Sequence, residues 1–183
     1  MLQEFVADLR RLPPLYRAER DMARTLGTLA ESGGTLPPLP SRGGSYTRTC
    51  NYLDDRFEVL LLDWSAGAAS EIHDHGGQHC WMVVLRGTLR VDDFVRIDAA
   101  DVPGLAILES RGSRILERGD LDLRSGRFDI HRVAAGAEHA VSLHVYSRPL
   151  DAYQTYDLHA QRCRTARASY DRVLPLLDLN LVA

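Results

Sequence analysis

Side chains that could bind a metal are concentrated at residues 73–80, HDHGGQHC. Residues i and i+2 of a β-strand point to the same face of a sheet. His73 and His75 can therefore bind one metal ion from the same side. His79 and Cys80 are adjacent, so strand geometry sends their side chains to opposite faces. We expect His79 to support the site as a structural imidazole without ligating the metal.

A second group of polar side chains alternates along a later segment. Ser142, His144 and Tyr146 are spaced by two, so one strand would present all three on one face as a hydrogen-bonded relay that can position the phenol. Taken alone, the pattern favours an ordinary alternating strand over such a relay. Arg48 follows Tyr46 by two residues, and its planar guanidinium suits a carboxylate. The alternative for Arg48 is a surface arginine, of which the chain has many.

Hydrophobic periodicity predicts the elements that position these residues. Residues 2–32 have apolar side chains at helical spacing, and the prolines at 13 and 14 divide them into two short helices. Glycine and proline then predict a loop up to residue 44. Short β-rich runs follow, closed by turn residues, and the predicted strands are 57–64, 81–85, 88–92, 106–109, 114–117, 127–133 and 140–146, with a hairpin turn at Arg86 and Gly87. Strands without interleaved helices predict an all-β sandwich or barrel.

We expect one domain over residues 1–183, with helices and loop at 1–44, a β-barrel at 45–157 and a C-terminal extension at 158–183. The extension mixes helical and extended patterns. The hydrophobic content of 45% and charged content of 26% suit a soluble globular protein. No signal sequence or membrane span is visible, so we predict a cytoplasmic protein, expected to be a monomer.

Charge and composition limit the function classes. A net charge of -3 gives no reason to expect nucleic acid or a membrane as partner, so we expect a small molecule. The chain has no lysine, which excludes Schiff-base, pyridoxal-phosphate and phosphate-loop sites. Cys50, Cys80 and Cys163 form no CxxC pair and leave an odd thiol, which predicts free thiols rather than a disulfide scaffold. We assign no role to Cys50 or Cys163, and we expect His139 and His159 at the surface.

The spacing around the histidines resembles the first motif of the cupin superfamily. Gly67, His73, His75, Cys80 and Gly87 follow one another at the intervals of that motif. Cys80 stands where many cupins carry a glutamate ligand. The resemblance implies a double-stranded β-helix barrel, or jelly-roll, with a metal in its mouth. A bare pair of alternating histidines would not justify this inference, whereas the full spacing does.

Several segments in the order of the chain resemble the thiol dioxygenase branch of the cupins, the cysteine dioxygenase family. The matching segments are Thr47-Arg48, residues 73–80, His131-Arg132-Val133 and residues 142–147. The resemblance implies that His73, His75 and His131 bind iron. Three neutral imidazoles would also suit Zn, Cu or Ni.

The resemblance also assigns roles to the other candidates. It implies a thioether bond between Cys80 and Tyr146, and a catalytic relay of Ser142, His144 and Tyr146. It makes Arg48 the anchor for the substrate carboxylate, helped by Tyr146, with Tyr46 lining the same pocket. The implied reaction is the oxidation of L-cysteine by O2 to 3-sulfinoalanine on Fe(II), with no organic cofactor.

The chain departs from the mammalian family pattern at two places, neither of them a proposed iron ligand. Ala135 replaces an asparagine four residues after His131, and Ser147-Arg148-Pro149 replaces a Ser-Pro-Pro run. A cis peptide after Ser147 would be expensive before a non-proline residue, and Arg148 could compete with Arg48 for the substrate carboxylate.

Three other functions stay open from the sequence. A 3-mercaptopropionate or other small-thiol dioxygenase typically has glutamine at the position of Arg48, so Arg48 and Cys80 favour the cysteine enzyme. A non-catalytic metal-binding cupin sensor would have no need of Cys80 and Tyr146 at crosslinking positions. A zinc-dependent isomerase is disfavoured because Cys80 occupies the glutamate position.

Overall fold

The computed structural model describes residues 2–14, 19–33, 35–126 and 129–174. Two helices begin the chain, α1 (Leu2–Arg11) and α2 (Glu19–Glu31), which confirms the two predicted helices. Each buries apolar residues that recur every three or four positions, so one stripe of each helix faces the protein. Tyr16, one of the residues behind the helical prediction, lies outside the described residues. Within the described ranges, neither helix has the length and hydrophobicity that a membrane span requires.

Two six-stranded sheets follow within the described part of the chain. The strands are β1 (Tyr46–Leu53), β2 (Glu58–Trp64), β3 (Ile72–His73), β4 (Cys80–Arg86), β5 (Leu89–Arg96), β6 (Leu108–Leu116), β7 (Leu121–Arg124), β8 (Ile130–Ala135), β9 (Ala140–Tyr146), β10 (Ala152–Asp157), β11 (Arg162–Arg167) and β12 (Arg172–Val173). The first sheet has the order β12-β1-β2-β9-β4-β7 and the second has the order β11-β10-β3-β8-β5-β6. The predicted all-β fold is confirmed, as a jelly-roll of two open sheets rather than one closed barrel.

The two sheets and the helices enclose two apolar layers. Alternate residues of β2 belong to different layers: Val59 and Leu61 pack against the helices, whereas Leu60 and Leu62 face the second sheet. A strand that is buried on both faces has a continuous run of hydrophobic residues in its sequence. Residues 59–62, VLLL, are such a run. The helices therefore cover the outer face of the first sheet and leave its inner face to the sandwich core and the candidate site.

Some predicted elements differ from the observed ones. The strands expected at 106–109 and 114–117 overlap the two ends of one strand, β6 (Leu108–Leu116). Gly112 of β6 has a positive φ of 117°, and the strand pairs with β5 through a bulge. Strand β7 was not predicted, because its polar residues Asp122 and Arg124 are buried while Leu121 and Leu123 are largely exposed. The expected strand at 127–133 begins at Ile130, and residues 127–128 lie outside the described residues.

The C-terminal extension is extended rather than mixed as far as residue 174. Strand β10 pairs with β3 and β11, and β12 pairs in parallel with β1. Residues 175–183 of the predicted extension lie outside the described residues. The domain boundaries at 44 and 157, the monomeric state and the cytoplasmic location stay predictions.

Candidate metal centre and substrate pocket

The second sheet brings the three proposed metal ligands together. His73 ends β3 and lies directly opposite His131 of β8, and His75 follows two residues after His73. Ligand atoms of the three side chains all lie within 4.8 Å of one another. His75 and His131 are buried and His73 is partly exposed. Such a cluster can coordinate one metal ion from one side.

The buried carboxylate of Asp74 fixes the loop that carries His75. It accepts hydrogen bonds from the backbone N–H groups of Gly76 (3.0 Å) and Gln154 (2.9 Å) and from the Tyr156 hydroxyl (2.8 Å). Gly76 has a positive φ of 58°, and a Cβ there would collide with the carbonyl oxygen of residue 152. Asp74 therefore anchors the loop to β10. The spacing of the two histidines did not predict this role.

The protonation of the histidines suits metal binding. His73 Nδ1 lies 2.9 Å from the backbone carbonyl oxygen of Glu71. A carbonyl only accepts, so Nδ1 carries the hydrogen and Nε2 keeps a lone pair for a metal. Burial lowers the pKa of His73, and it lowers the pKa values of His75 and His131 well below their usual range. Three neutral imidazoles fit a divalent transition metal.

A buried ionic network lies behind His131. The Nδ1 atom of His131 is 3.5 Å from Asp122 Oδ2, and Arg124 donates to both Asp122 oxygens at 2.8 and 3.0 Å. Arg124 also pairs with Asp93 at 2.7 Å, and Arg114 pairs with both carboxylates. Metal-bound histidines commonly present their other nitrogen to a carboxylate. Asp122 occupies that place, and it could not be predicted from the sequence because β7 itself was not predicted.

Ser142 and His144 of β9 form a hydrogen-bonded relay, but it leads toward Cys80 and not to Tyr146 as expected. Trp64 Nε1 donates to Ser142 Oγ (2.9 Å), and Ser142 Oγ lies 2.9 Å from His144 Nε2. The other nitrogen of His144 is 3.9 Å from Cys80 Sγ, whereas the rings of His144 and Tyr146 are stacked with centroids 6.5 Å apart. Burial lowers the pKa of His144 to about 3, so its imidazole is neutral near pH 7.

Cys80 and Tyr146 lie directly opposite each other on β4 and β9. Side chains at such positions have Cβ atoms about 4.5–5.5 Å apart. The Cys80 thiol is free and buried. Burial raises the pKa values of both groups, so both are protonated. The two side chains are therefore placed for the thioether bond that the sequence resemblance implies.

One small cavity connects these groups. Its volume is about 40 Å³, and its lining includes the three histidines together with Tyr46, Arg48, His144, Tyr146 and Tyr153. A single water molecule needs roughly 10–15 Å³ of such space, so the cavity suits only a small substrate. Tyr153 was not predicted. It lies on β10, with its ring centroid 5.9 Å from that of His73, in a segment without a readable motif.

Arg48 supplies the cavity's positive charge. Its Nη2 atom is buried and has no hydrogen-bond partner within the described residues. A buried donor without a partner costs about 1–3 kcal/mol, and a bound carboxylate would remove that cost. Tyr46 stacks on Trp64, with ring centroids 4.5 Å apart.

Four other candidates lie away from the cavity. Arg148 is exposed, absent from the cavity lining, and joined to Ser147 by a trans peptide. The His79 ring stacks on Trp81, at a centroid distance of 5.7 Å. His139 pairs with Asp63 at 2.7 Å, and His159 is exposed. None of the four is placed to bind a metal held by the three clustered histidines.

Known proteins resemble this chain over the same region. The family model of cysteine dioxygenase type I matches residues 44–159. Cysteine dioxygenase type 1 of Danio rerio is 30% identical over 130 residues, which cover 68% of this chain and 63% of that protein. The 2-aminoethanethiol dioxygenase of Homo sapiens is 26% identical over 159 residues, covering 73% and 58%. The chain thus spans less than two thirds of the length of these relatives.

A solved structure of a cupin superfamily protein from Desulfitobacterium hafniense DCB-2 also aligns with the chain. Its TM-score is 0.44 and its sequence identity 15%, and the alignment covers 63% of this chain and 94% of that one. The match of the family model covers more than half of this chain and includes all three clustered histidines. The chain belongs to the cysteine dioxygenase type I family of the cupin superfamily.

Proposed function

We propose that this protein is a non-haem iron dioxygenase that oxidises L-cysteine with O2 to 3-sulfinoalanine. One observation carries the proposal: three neutral histidines and an unpartnered arginine donor line the same small cavity. A substrate with a thiol and a carboxylate could bind at the histidine cluster through its sulfur and to Arg48 through its carboxylate at the same time. Membership of the cysteine dioxygenase type I family supports this reaction.

His73, His75 and His131 would hold the iron. When bound, Fe(II) would lower the pKa of the substrate thiol and supply the redox chemistry that activates dioxygen. The protein's own contribution is positioning, because two reactants held side by side react as if they were one molecule. The small cavity also restricts water around the reacting groups.

Arg48 would hold the substrate carboxylate in two places, as a planar guanidinium can. Tyr146, which lines the same cavity, would help to bind the carboxylate, because burial keeps its phenol protonated and therefore able to donate a hydrogen bond. Tyr46, stacked on Trp64, would form part of the pocket wall. The relay from Trp64 through Ser142 to His144 would keep the neighbourhood of Tyr146 rigid.

The Cys80–Tyr146 thioether is part of the same proposal. The new bond joins Cys80 Sγ to a ring carbon of Tyr146 beside the hydroxyl. One hydrogen leaves the sulfur and one leaves the ring, and dioxygen takes up both hydrogens with their electrons. The direct pairing of the two residues across β4 and β9 supports this step.

The structure favours a carboxylate-bearing thiol over a simple aminothiol. The substrate named for the human relative, 2-aminoethanethiol, has no carboxylate. It would leave the buried Arg48 donor without a partner. 3-Mercaptopropionate would satisfy Arg48, but it has no amine to bind the iron, so we expect it to be used less well than L-cysteine.

The decisive experiment is aerobic turnover by iron-loaded protein with the product identified by mass. L-Cysteine, 3-mercaptopropionate and 2-aminoethanethiol would be compared at equal concentrations, with His131→Ala as the metal-free control. We expect 3-sulfinoalanine from L-cysteine and oxygen uptake that is lost with the control. A strong preference for 3-mercaptopropionate would contradict the substrate assignment. Iron-loaded protein that consumes no oxygen with any of the three thiols would favour a non-catalytic sensor.

A further inference from the structure

The chain beyond residue 159, where the family match ends, returns to the candidate substrate anchor. The Asp171 backbone N–H donates to the Arg48 carbonyl oxygen (2.9 Å), and Asp171 Oδ2 accepts from the Arg48 N–H (2.9 Å). Strand β12 continues this contact by pairing with Thr49 and Cys50. Residues 168–174, which we call the anchor strap, are therefore fastened to the backbone on both sides of the Arg48 side chain.

Tyr170 of the anchor strap contacts the guanidinium itself. The Arg48 Cζ atom lies 5.8 Å from the Tyr170 ring centroid, within the range of a cation–π contact. The Tyr170 hydroxyl donates a short hydrogen bond to Glu58 Oε2. The ring can therefore support Arg48 only in the orientation that the hydrogen bond to Glu58 permits.

Glu58 is a buried carboxylate to which the proposed chemistry gives no role. It lies in β2 with an exposed fraction of 0%, and its other oxygen accepts from the Leu150 N–H at 3.2 Å. Burial raises the pKa of Glu58, whereas its hydrogen bonds from Tyr170 and the Leu150 N–H, and the charge of Arg48, lower it. The hydrogen bonds of Glu58 go to Tyr170 and Leu150 and not to Arg48, so the Arg48 Nη2 donor stays available.

We propose that Tyr170, held by Glu58, is a positioning residue for Arg48 and makes the pocket selective for thiols that carry a carboxylate. This inference rests on the proposed function, since it assumes that Arg48 binds the substrate carboxylate. It assigns the anchor strap to the substrate site. Tyr170 acts through Arg48 and takes no part in the reaction.

The test is Tyr170→Phe in the full-length, iron-loaded protein, which removes the hydroxyl and keeps the ring. We expect the KM for L-cysteine to rise about tenfold with kcat changed less than about twofold, as for the loss of a ground-state contact. The Kd of L-cysteine, measured anaerobically by calorimetry, should rise by the same factor. The Kd of 2-aminoethanethiol, which has no carboxylate, should not change.

Tyr52→Phe is the matched control. The Tyr52 hydroxyl also donates to a carboxylate, Asp54, at 2.7 Å, but Tyr52 does not line the cavity. It should leave both Kd values unchanged. Glu58→Gln is the second variant, which removes the charge at nearly constant volume and should also weaken L-cysteine binding. In an Arg48→Ala background, Tyr170→Phe should add nothing, because the two residues act as one unit.

The outcomes separate this inference from the proposed function. An unchanged Kd of L-cysteine in folded Tyr170→Phe overturns the inference even if the wild type is fully active. Equal weakening of both ligands would also overturn it, because it would indicate general damage to the pocket. A wild type that oxidises no thiol but binds L-cysteine in a Tyr170-dependent way contradicts the dioxygenase and supports the inference. If the wild-type protein binds no L-cysteine, the inference is wrong. The proposed dioxygenase activity is then tested separately, by measuring oxygen uptake with the three thiols.

Discussion

Replacing Asp122 by asparagine should weaken metal binding without removing any ligand. The Asp122 carboxylate faces His131 Nδ1 at 3.5 Å, the atom that has no hydrogen-bond partner among the described residues. A small adjustment on metal binding would close that distance to a hydrogen bond. Asparagine keeps the volume and one acceptor oxygen but loses the charge, and charge-assisted hydrogen bonds are about twice as strong as neutral ones.

The expected loss in metal affinity is about 10–100-fold, the usual effect of changing a partner of a ligating histidine. It corresponds to about 1.4–2.7 kcal/mol of binding free energy. The substitution also removes the charge of the buried one of the two carboxylates that pair with Arg124, the other being the partly exposed Asp93. Breaking a buried ion pair costs about 3–5 kcal/mol, and the pair between Arg124 and Asp93 should reduce that cost. The free energy of unfolding of the metal-free protein should therefore fall as well.

The assay is anaerobic titration of the metal-free protein with Fe(II) against a competing chelator, together with urea unfolding. Asp93→Asn is the matched control, because it removes an equal charge from the same network but not the carboxylate that faces Nδ1 of His131. Both variants should lose stability, and only Asp122→Asn should lose the full 10–100-fold in affinity. Equal affinity losses in the two variants would refute the reasoning, since the network would then act only through its charge or through folding.

Three further predictions concern the buried polar groups of the first sheet. Ser142→Ala should leave the Trp64 indole N–H without an acceptor and lower the free energy of unfolding by about 1–3 kcal/mol, as measured by urea unfolding. Burial lowers the pKa of His144 from 6.5 to about 3, so the unfolded chain takes up a proton below pH 6.5 that the folded protein refuses. The free energy of unfolding of the metal-free protein should accordingly decrease as the pH is lowered from 6.5 to about 3. His144→Gln should make this decrease less steep. After aerobic turnover, intact-mass analysis should find a fraction of the protein lighter by two hydrogen atoms, and Cys80→Ser should abolish that fraction; an unmodified thiol throughout would contradict the crosslink.

The sequence predicted most of what depends on regular alternation. Ser142, His144 and Tyr146 are spaced by two, and β9 has the predicted bounds because apolar residues alternate with these three from Val141 to Tyr146. The spacing of His73 and His75 predicted that both could bind one metal ion, and the cupin resemblance identified His131 as the third residue of the cluster. These patterns can be recognised in the sequence because the direction of a side chain in a strand depends only on its position along that strand.

Features that depend on buried charge could not be predicted in this way. Strand β7 places Asp122 and Arg124 inside and two leucines outside, the reverse of the usual pattern, because ion pairing replaces apolar packing there. A periodicity argument assigns such a segment to a loop. The functional consequence is that the carboxylate behind His131 was found only from the structure.

The proposed substrate anchor, Arg48, illustrates why residue type and position are not enough to define a binding site. Any exposed arginine carries the charge of Arg48, but it would be hydrated and free to rotate. Arg48 is held instead by backbone contacts to Asp171 and by the ring of Tyr170, whose hydroxyl donates to Glu58. These partners lie 123, 122 and 10 residues away along the chain, so no local motif could connect them. A guanidinium fixed in this way has already lost most of its rotational freedom, and binding a carboxylate costs correspondingly less conformational entropy. The selectivity of the pocket should therefore depend on the anchor strap as much as on Arg48.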